Sequence, residues 1–111
     1  MPRSPARPVP PEVAARIAGL GARIKEARQR RNLRQVDLAE RTGLSRSSIE
    51  AIERGSADTS IGSFVRALWV LGLDRELDVV ADSAVDREGA ALEFDPRERR
   101  VRVRKGLDDD F

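Results

Sequence analysis

The stretch QVDLAERTGLSRSSIEAIERG, residues 35–55, constrains the fold most. Leu38 and Ala39 fall on one face of a first short helix, and Ile49 and Ile52, three apart, fall on one face of a second, with Leu44 in the connection between them. These five residues predict the contact between the two helices. Ala39 is small where the helices would cross most closely, and Gly43 can adopt the positive φ that ends a helix and turns the chain. Ser45 can then cap the second helix, because its hydroxyl reaches the free amides of the next turn; Ser48 and Glu50 stand just inside.

A helix, a glycine turn and a capped helix form the helix-turn-helix pattern. The chain before it divides in two. Residues 1–11 hold five of the six prolines and cannot form helix or sheet, so they predict an extended, flexible basic arm. Arg3 and Arg7 would either enter a minor groove or touch phosphates, or the arm is simply a disordered terminus. From Glu12 the apolar positions become Val13, Ile17, Leu20, Ile24 and Ala27, which predicts a long amphipathic helix ending near Arg31 and Asn32. Its front turns exceed what a compact domain needs, and Val13 and Ile17 would pack on the C-terminal segment or on a second subunit.

After Gly55, Thr59 or Ser60 can cap a fourth helix with Ile61, Phe64, Val65, Leu68 and Leu71 on one side and Gly72 at its end. Trp69 lies off that stripe, either as the lid of a fifth helix or in a subunit interface. Residues 73–82 predict the fifth helix, with Leu77, Val80 and Ala81 as its apolar face. Beyond Ser83 the pattern changes again. Residues 92–94 and 101–103 alternate apolar and charged side chains around a turn-like 95–98, which predicts either a short β-ribbon carrying Arg100, Arg102 and Arg104 or a disordered, charge-mixed tail. A two-stranded ribbon is marginal by itself and would need a cover for Leu92, Phe94, Val101 and Val103. The expected organisation is an arm over 1–11, an all-α domain of five helices over 12–82, and a charged extension over 83–111 that serves dimerisation or partner binding or is disordered.

Composition narrows the function. The chain has no Cys and no His, which removes disulfides, thiolate zinc sites, Cys nucleophiles and His bases, and fits a reducing cytoplasm. No carboxylate pair is set against a base, a nucleophile or a phosphate-binding glycine loop, so no catalytic residue, cofactor or metal ligand is expected, and the chain is read as not an enzyme. No apolar run is long enough to span a membrane, and prolines stand where a signal peptide would be apolar, so a soluble, cytoplasmic protein is expected. The pI of about 9.9 overstates the basicity, because the net charge is only +2 and little titrates between the carboxylates and the arginines. Distribution matters more. Residues 1–34 carry nine Arg and Lys against two Glu, a local charge of +7, whereas residues 35–82 carry five against nine and residues 83–111 seven against eight. Basic charge ahead of the helix pair suits phosphate contact.

Three motifs carry a family resemblance: Gln-x-x-Leu-Ala at 35–39, Thr-Gly-Leu-Ser at 42–45 and Ser-Ile-Glu-x-Ile-Glu-Arg-Gly at 48–55. Together they resemble the lambda-repressor-like, Xre-type helix-turn-helix DNA-binding domain, over roughly residues 20–73. One departure is Arg34, where the family usually carries a Ser or Thr cap. The resemblance implies a five-helix fold and a sequence-specific transcriptional regulator that binds double-stranded DNA, at a palindromic operator, as a homodimer with a recognition helix at about 45–54. An Arg-rich end after a short helical domain also resembles the antitoxin-like regulators encoded beside HipA-type kinases. That alternative implies an antitoxin that binds its toxin kinase through residues 83–111 and autoregulates its operon.

A recognition helix offers its first turn to base edges. The expected base contacts are Arg46, which can donate two parallel hydrogen bonds to guanine, Ser47, Glu50, and Ala51, which could meet a thymine methyl. By resemblance, Gln35 meets a phosphate and Arg54 the backbone at the other edge; Ser45, Ser48 and Arg34 are counted with them as backbone contacts. Arg28 and Glu53 occupy positions that the family commonly pairs, which implies a partly buried salt bridge fixing the recognition helix to its support.

Overall fold

The computed structural model describes residues 7–93; among these the architecture is all-α, with no strand. The chain divides after Arg75 into two compact units. The first holds four helices: α1 (Pro11–Arg30), α2 (Gln35–Thr42), α3 (Arg46–Arg54) and α4 (Ile61–Val70). None is long and apolar enough to cross a membrane.

Helix α3 is the centre of this unit and packs against α1, α2 and α4. Its Ile49 and Ile52 are fully buried, as are Leu38 of α2 and Ile24 of α1. Ala39 is buried beside them and Leu44 is half-buried in the turn, so the five residues that predicted the helix contact all sit in or beside the core. The local signals explain the boundaries. Pro11 opens α1, where a missing N–H costs nothing and a fixed φ is already helical. Gly43 and Gly55 take φ of +76° and +78° after α2 and α3, and the Gly43 and Leu44 amides both donate to the Ala39 carbonyl, closing the orphan end of α2. Ser45 and Ser60 cap α3 and α4, each accepting from the amide three residues on, at 3.1 and 3.2 Å.

Two small residues bring α1 and α3 together. A Cβ on Gly21 would overlap the Ile52 carbonyl oxygen and stand 2.8 Å from that of Glu53. One on Gly55 would stand 2.6 Å from Ala18 Cα. The α1 backbone therefore lies directly on the end of α3, an approach only glycine permits.

Helix α4 differs from expectation at its start. Phe64, Ala67, Leu68 and Leu71 are buried, but Ile61 is 70% exposed and Val65 only half-buried; Ile61 occupies the first turn, which extends past the core. Trp69 is also exposed. Val13, in the front turns of α1, is exposed, and Ile17 is half-buried.

The fifth helix expected over 73–82 is not an α-helix. Asp74–Val79 forms a 3-10 helix with no buried residue, and Val80 is exposed. Gly72 and Ala81 on either side both adopt positive φ, +77° and +61°. Between them, Leu77 and Val80 lie three apart, a spacing that suits three residues per turn, while Val79 and Val80 are β-branched and lower α-helical propensity. A further short helix, α5 (Arg87–Glu93), lies in the second unit, and Asp86 opens it by accepting from the Gly89 amide at 3.0 Å. Leu92 and Glu93, expected to start a strand, close α5 instead. The rest of the expected ribbon, with Phe94, Val101, Val103 and the arginines at 100, 102 and 104, lies outside the described residues, as does Arg3 of the arm.

Candidate nucleic-acid interface

Helix α3 presents three sides. Ile49 and Ile52 face the core. Glu53, one step round, is buried against α1: Arg28 Nε donates to Glu53 Oε2 at 2.6 Å and a terminal guanidinium nitrogen donates to Oε1 at 3.0 Å, with side-chain exposures of only 9% and 4%. Another terminal nitrogen of Arg28 donates to the Leu33 carbonyl at 2.7 Å, tying the turn before α2 to the same pair. A two-point pair whose guanidinium also bonds a backbone carbonyl is an arrangement in which a buried charge is tolerated, and losing one partner would strand the other.

The third side, with Arg46, Ser47 and Glu50, is exposed, and Ala51 is half-buried beside it. Arg46 Nε lies 3.4 Å from Glu50 Oε1, an ion pair one turn apart on the helix surface. The Ser45 hydroxyl lies 3.1 Å from that of Ser47 and 3.0 Å from that of Ser48. The first turn of α3 therefore carries three linked hydroxyls beside one guanidinium. Arg54 is exposed at the other end.

Gln35 opens α2 and is half-buried. Its amide Nε2 donates to Glu53 Oε1 at 3.1 Å, so the carboxylate that binds Arg28 also orients this side chain. No spacing between positions 35 and 53 signals that contact. One amide hydrogen is committed to Glu53 and one remains to donate.

At Arg34, which has no Ser or Thr hydroxyl to cap the helix, Asp37 supplies a bond in the opposite direction. Its carboxylate accepts from the Arg34 amide at 2.7 Å and from the Arg34 guanidinium at 3.1 and 3.0 Å. This is the returning half of a capping box, signalled by an acidic residue three positions on. The guanidinium bonds, with the backbone amide second, hold the Asp37 carboxyl below its ordinary range, and the same contact raises Arg34. The pair is largely in water, so it orders the helix start more than it stabilises the fold.

Two shallow depressions share walls with the first turn of α3. One, of about 460 Å³, is lined by Arg28, Leu33, Arg34, Gln35, Val36 and Arg46. The other, of about 370 Å³, lies between α3 and the start of α4; Ser47, Ser48, Thr59, Ser60 and Ser63 give it hydroxyls, and Ala51 and Asp58 complete it. Cations and amide donors border one, hydroxyls the other, and the exposed ridge of α3 adjoins both. No group of acidic side chains that could hold a metal occurs among the described residues.

Residues 19–81, more than half of the chain, match the family model described as a helix-turn-helix domain. The chain is also 33% identical over 93 residues to the immunity repressor protein of Bacillus phage phi105, a match covering 80% of this chain and 65% of that protein. The match therefore reaches just under two thirds of the relative's length. No solved structure matches the chain at a significant level.

Proposed function

Because the chain belongs to the helix-turn-helix domain family, we propose that it is a transcriptional repressor that binds double-stranded DNA sequence-specifically in the cytoplasm, with α3 as its recognition helix. The observation that carries this reading is the division of labour on α3. Its inner sides are buried and bonded to α1 and α2, and its outer side offers Arg46, Ser47, Glu50 and Ala51 with no fold partner beyond the helix itself. That is what insertion into a major groove requires.

Arg46 reads guanine through two parallel hydrogen bonds, Ser47 donates or accepts, and Ala51 meets a thymine methyl. Gln35 uses its free amide hydrogen on a phosphate, and Arg34, Ser45, Ser48 and Arg54 meet the backbone on either side. The domain over 12–82 binds as a homodimer at a palindromic operator, with half-sites about 34 Å apart, and the arm over 1–11 and the extension over 83–111 supply further contacts to DNA or to the second subunit. That the phage relative is named a repressor favours repression over the antitoxin reading.

The test compares two arginines. Arg46→Ala should weaken the best operator by about 1–3 kcal/mol and relax preference at one position in each half-site. Arg54→Ala should weaken all sequences alike and lower the salt slope by about 1 per lost phosphate contact. Affinities are measured at several salt concentrations on the operator, on single-base variants and on unrelated duplex. Identical behaviour of the two variants, or no preference by the unaltered protein, would remove α3 as the reading helix.

A further inference from the structure

Glu50 is the one carboxylate of α3 that is not buried, since Glu53 is committed to Arg28 and Gln35. A carboxylate on a DNA-facing ridge needs a reason, because it opposes a polyanion. The structure gives it a partner in Arg46, and the atom it engages matters: Glu50 Oε1 lies 3.4 Å from Nε, at the inner edge of the guanidinium. A guanidinium has five N–H donors in a fixed fork. With Nε turned to Glu50, the two terminal nitrogens are left to meet guanine O6 and N7 together.

We infer that Glu50 is a specificity-determining positioning residue: it orients Arg46 for end-on recognition of guanine and, by its charge, weakens binding to DNA that offers no guanine there. This rests on the reading of α3 as the recognition helix. Two effects follow from the same side chain. Orientation is modest in the free protein, where side-chain exposures of 67% and 45% leave the pair in water and such a pair shifts an equilibrium by about 2-fold. In a groove that excludes water the pair can close to a charged hydrogen bond, whose loss amounts to about 10-fold or more. The charge acts on every sequence. On unrelated DNA nothing offsets the repulsion between Glu50 and the phosphates, whereas at the operator Arg46 and guanine do, so Glu50 widens the ratio between specific and non-specific binding.

The experiment uses the full chain and its selected operator. Unaltered protein, Glu50→Ala, Glu50→Gln, Arg46→Ala and the double variant Arg46→Ala/Glu50→Ala are titrated against three duplexes: the operator, the operator with the guanine pair read by Arg46 exchanged for adenine–thymine, and an unrelated sequence. Glu50→Ala should lower the guanine-over-adenine preference by about 2- to 10-fold while binding the unrelated duplex more tightly. Glu50→Gln, whose amide oxygen can accept from Nε but carries no charge, should restore the part of the guanine preference that orientation supplies and keep the tighter non-specific binding. With Arg46 already replaced, Glu50→Ala should leave base preference unchanged. The inference is overturned if Glu50→Ala retains full guanine preference, or weakens all three duplexes equally as a contact of its own would. The underlying reading fails separately, if the unaltered protein has no base preference or Arg46→Ala leaves it intact.

Discussion

Gly21 and Gly19 stand two residues apart in α1, and exchange to alanine should move stability in opposite directions. In a helix interior Ala is favoured over Gly by about 0.8–1.0 kcal/mol, because Gly loses more backbone freedom on folding. At Gly19 the new methyl would meet only the guanidinium end of Arg23, at 3.2 Å, and that flexible arm can move aside. Gly19→Ala should therefore stabilise the protein by up to about 1 kcal/mol. At Gly21 the obstacles are backbone: the Ile52 carbonyl oxygen, the Glu53 carbonyl oxygen at 2.8 Å and the Gly55 nitrogen at 3.0 Å. None can rotate away. The end of α3 must withdraw by roughly half an ångström or more to restore ordinary contact distances, which loosens fully buried Ile52 and stretches the 2.6 Å bond between Arg28 and Glu53. Overpacking of this kind typically costs about 1–3 kcal/mol. The upper half of that range applies here because a charged pair is disturbed as well, so a net loss of about 1–2 kcal/mol remains after the propensity gain. The assay is a urea titration followed by far-ultraviolet circular dichroism, with midpoints compared at constant slope. A Gly21→Ala variant as stable as the unaltered protein, or more so, would mean that α1 and α3 do not meet at this point.

Three further outcomes are expected. Leu38→Ala or Ile52→Ala should destabilise by about 2–5 kcal/mol, since both side chains have zero exposure and truncation leaves a cavity; denaturant midpoints near those of the unaltered protein would contradict the placement of the core. Arg28→Ala should cost about 3–5 kcal/mol by leaving Glu53 buried without its cation, whereas replacing Arg28 and Glu53 together by apolar residues of similar volume should cost less than the sum of the single changes; additivity in a double-mutant cycle would show no coupling. The Asp37 carboxyl should titrate below the ordinary value of about 3.9 and move toward it in Arg34→Ala, as followed by carboxyl carbon chemical shift. Because its folded value is depressed, its contribution to stability is present above the unfolded value and is lost as pH falls through the folded one; an unchanged midpoint in Arg34→Ala would remove Arg34 as the cause.

What could be read in the sequence followed from periodicity and turn chemistry. Leu38, Ile49 and Ile52 are spaced for one face each, Gly43 and Gly72 take the positive φ their positions demand, and Ser45 and Ser60 cap as their hydroxyls allow. Long-range pairs have no such signature. No spacing rule puts Arg28 against Glu53 twenty-five residues on; only family resemblance placed them together. The bond from Gln35 to Glu53 escaped for the same reason. Gly21 escaped because a glycine inside an amphipathic pattern is silent about what lies against it. The helix expected over 73–82 failed differently. Leu77 and Val80, three apart, satisfy an α-helix and a 3-10 helix equally, and with no residue of 74–79 buried, packing does not reward the α-helical form.

The way α3 is fastened separates residues that hold the fold from residues free to change recognition. Ser45 fixes its start, Gly55 against Ala18 fixes its end, and Ile49, Ile52 and Glu53 bind its inner sides. Arg46, Ser47 and Glu50 bear none of these loads, and surface changes of that kind usually alter stability by less than about 0.5 kcal/mol. Recognition can therefore vary at 46, 47 and 50 while the framework stays constant. Gln35 is the exception among the DNA-facing candidates. Its amide is bonded to the carboxylate that holds Arg28, so substitution there removes a hydrogen bond from a partly buried charged network along with a donor for phosphate. On the reading proposed above, a change at 46 should alter which DNA is bound; a change at 35 should weaken binding to every DNA and lower stability as well, because one side chain would serve both the support and the contact.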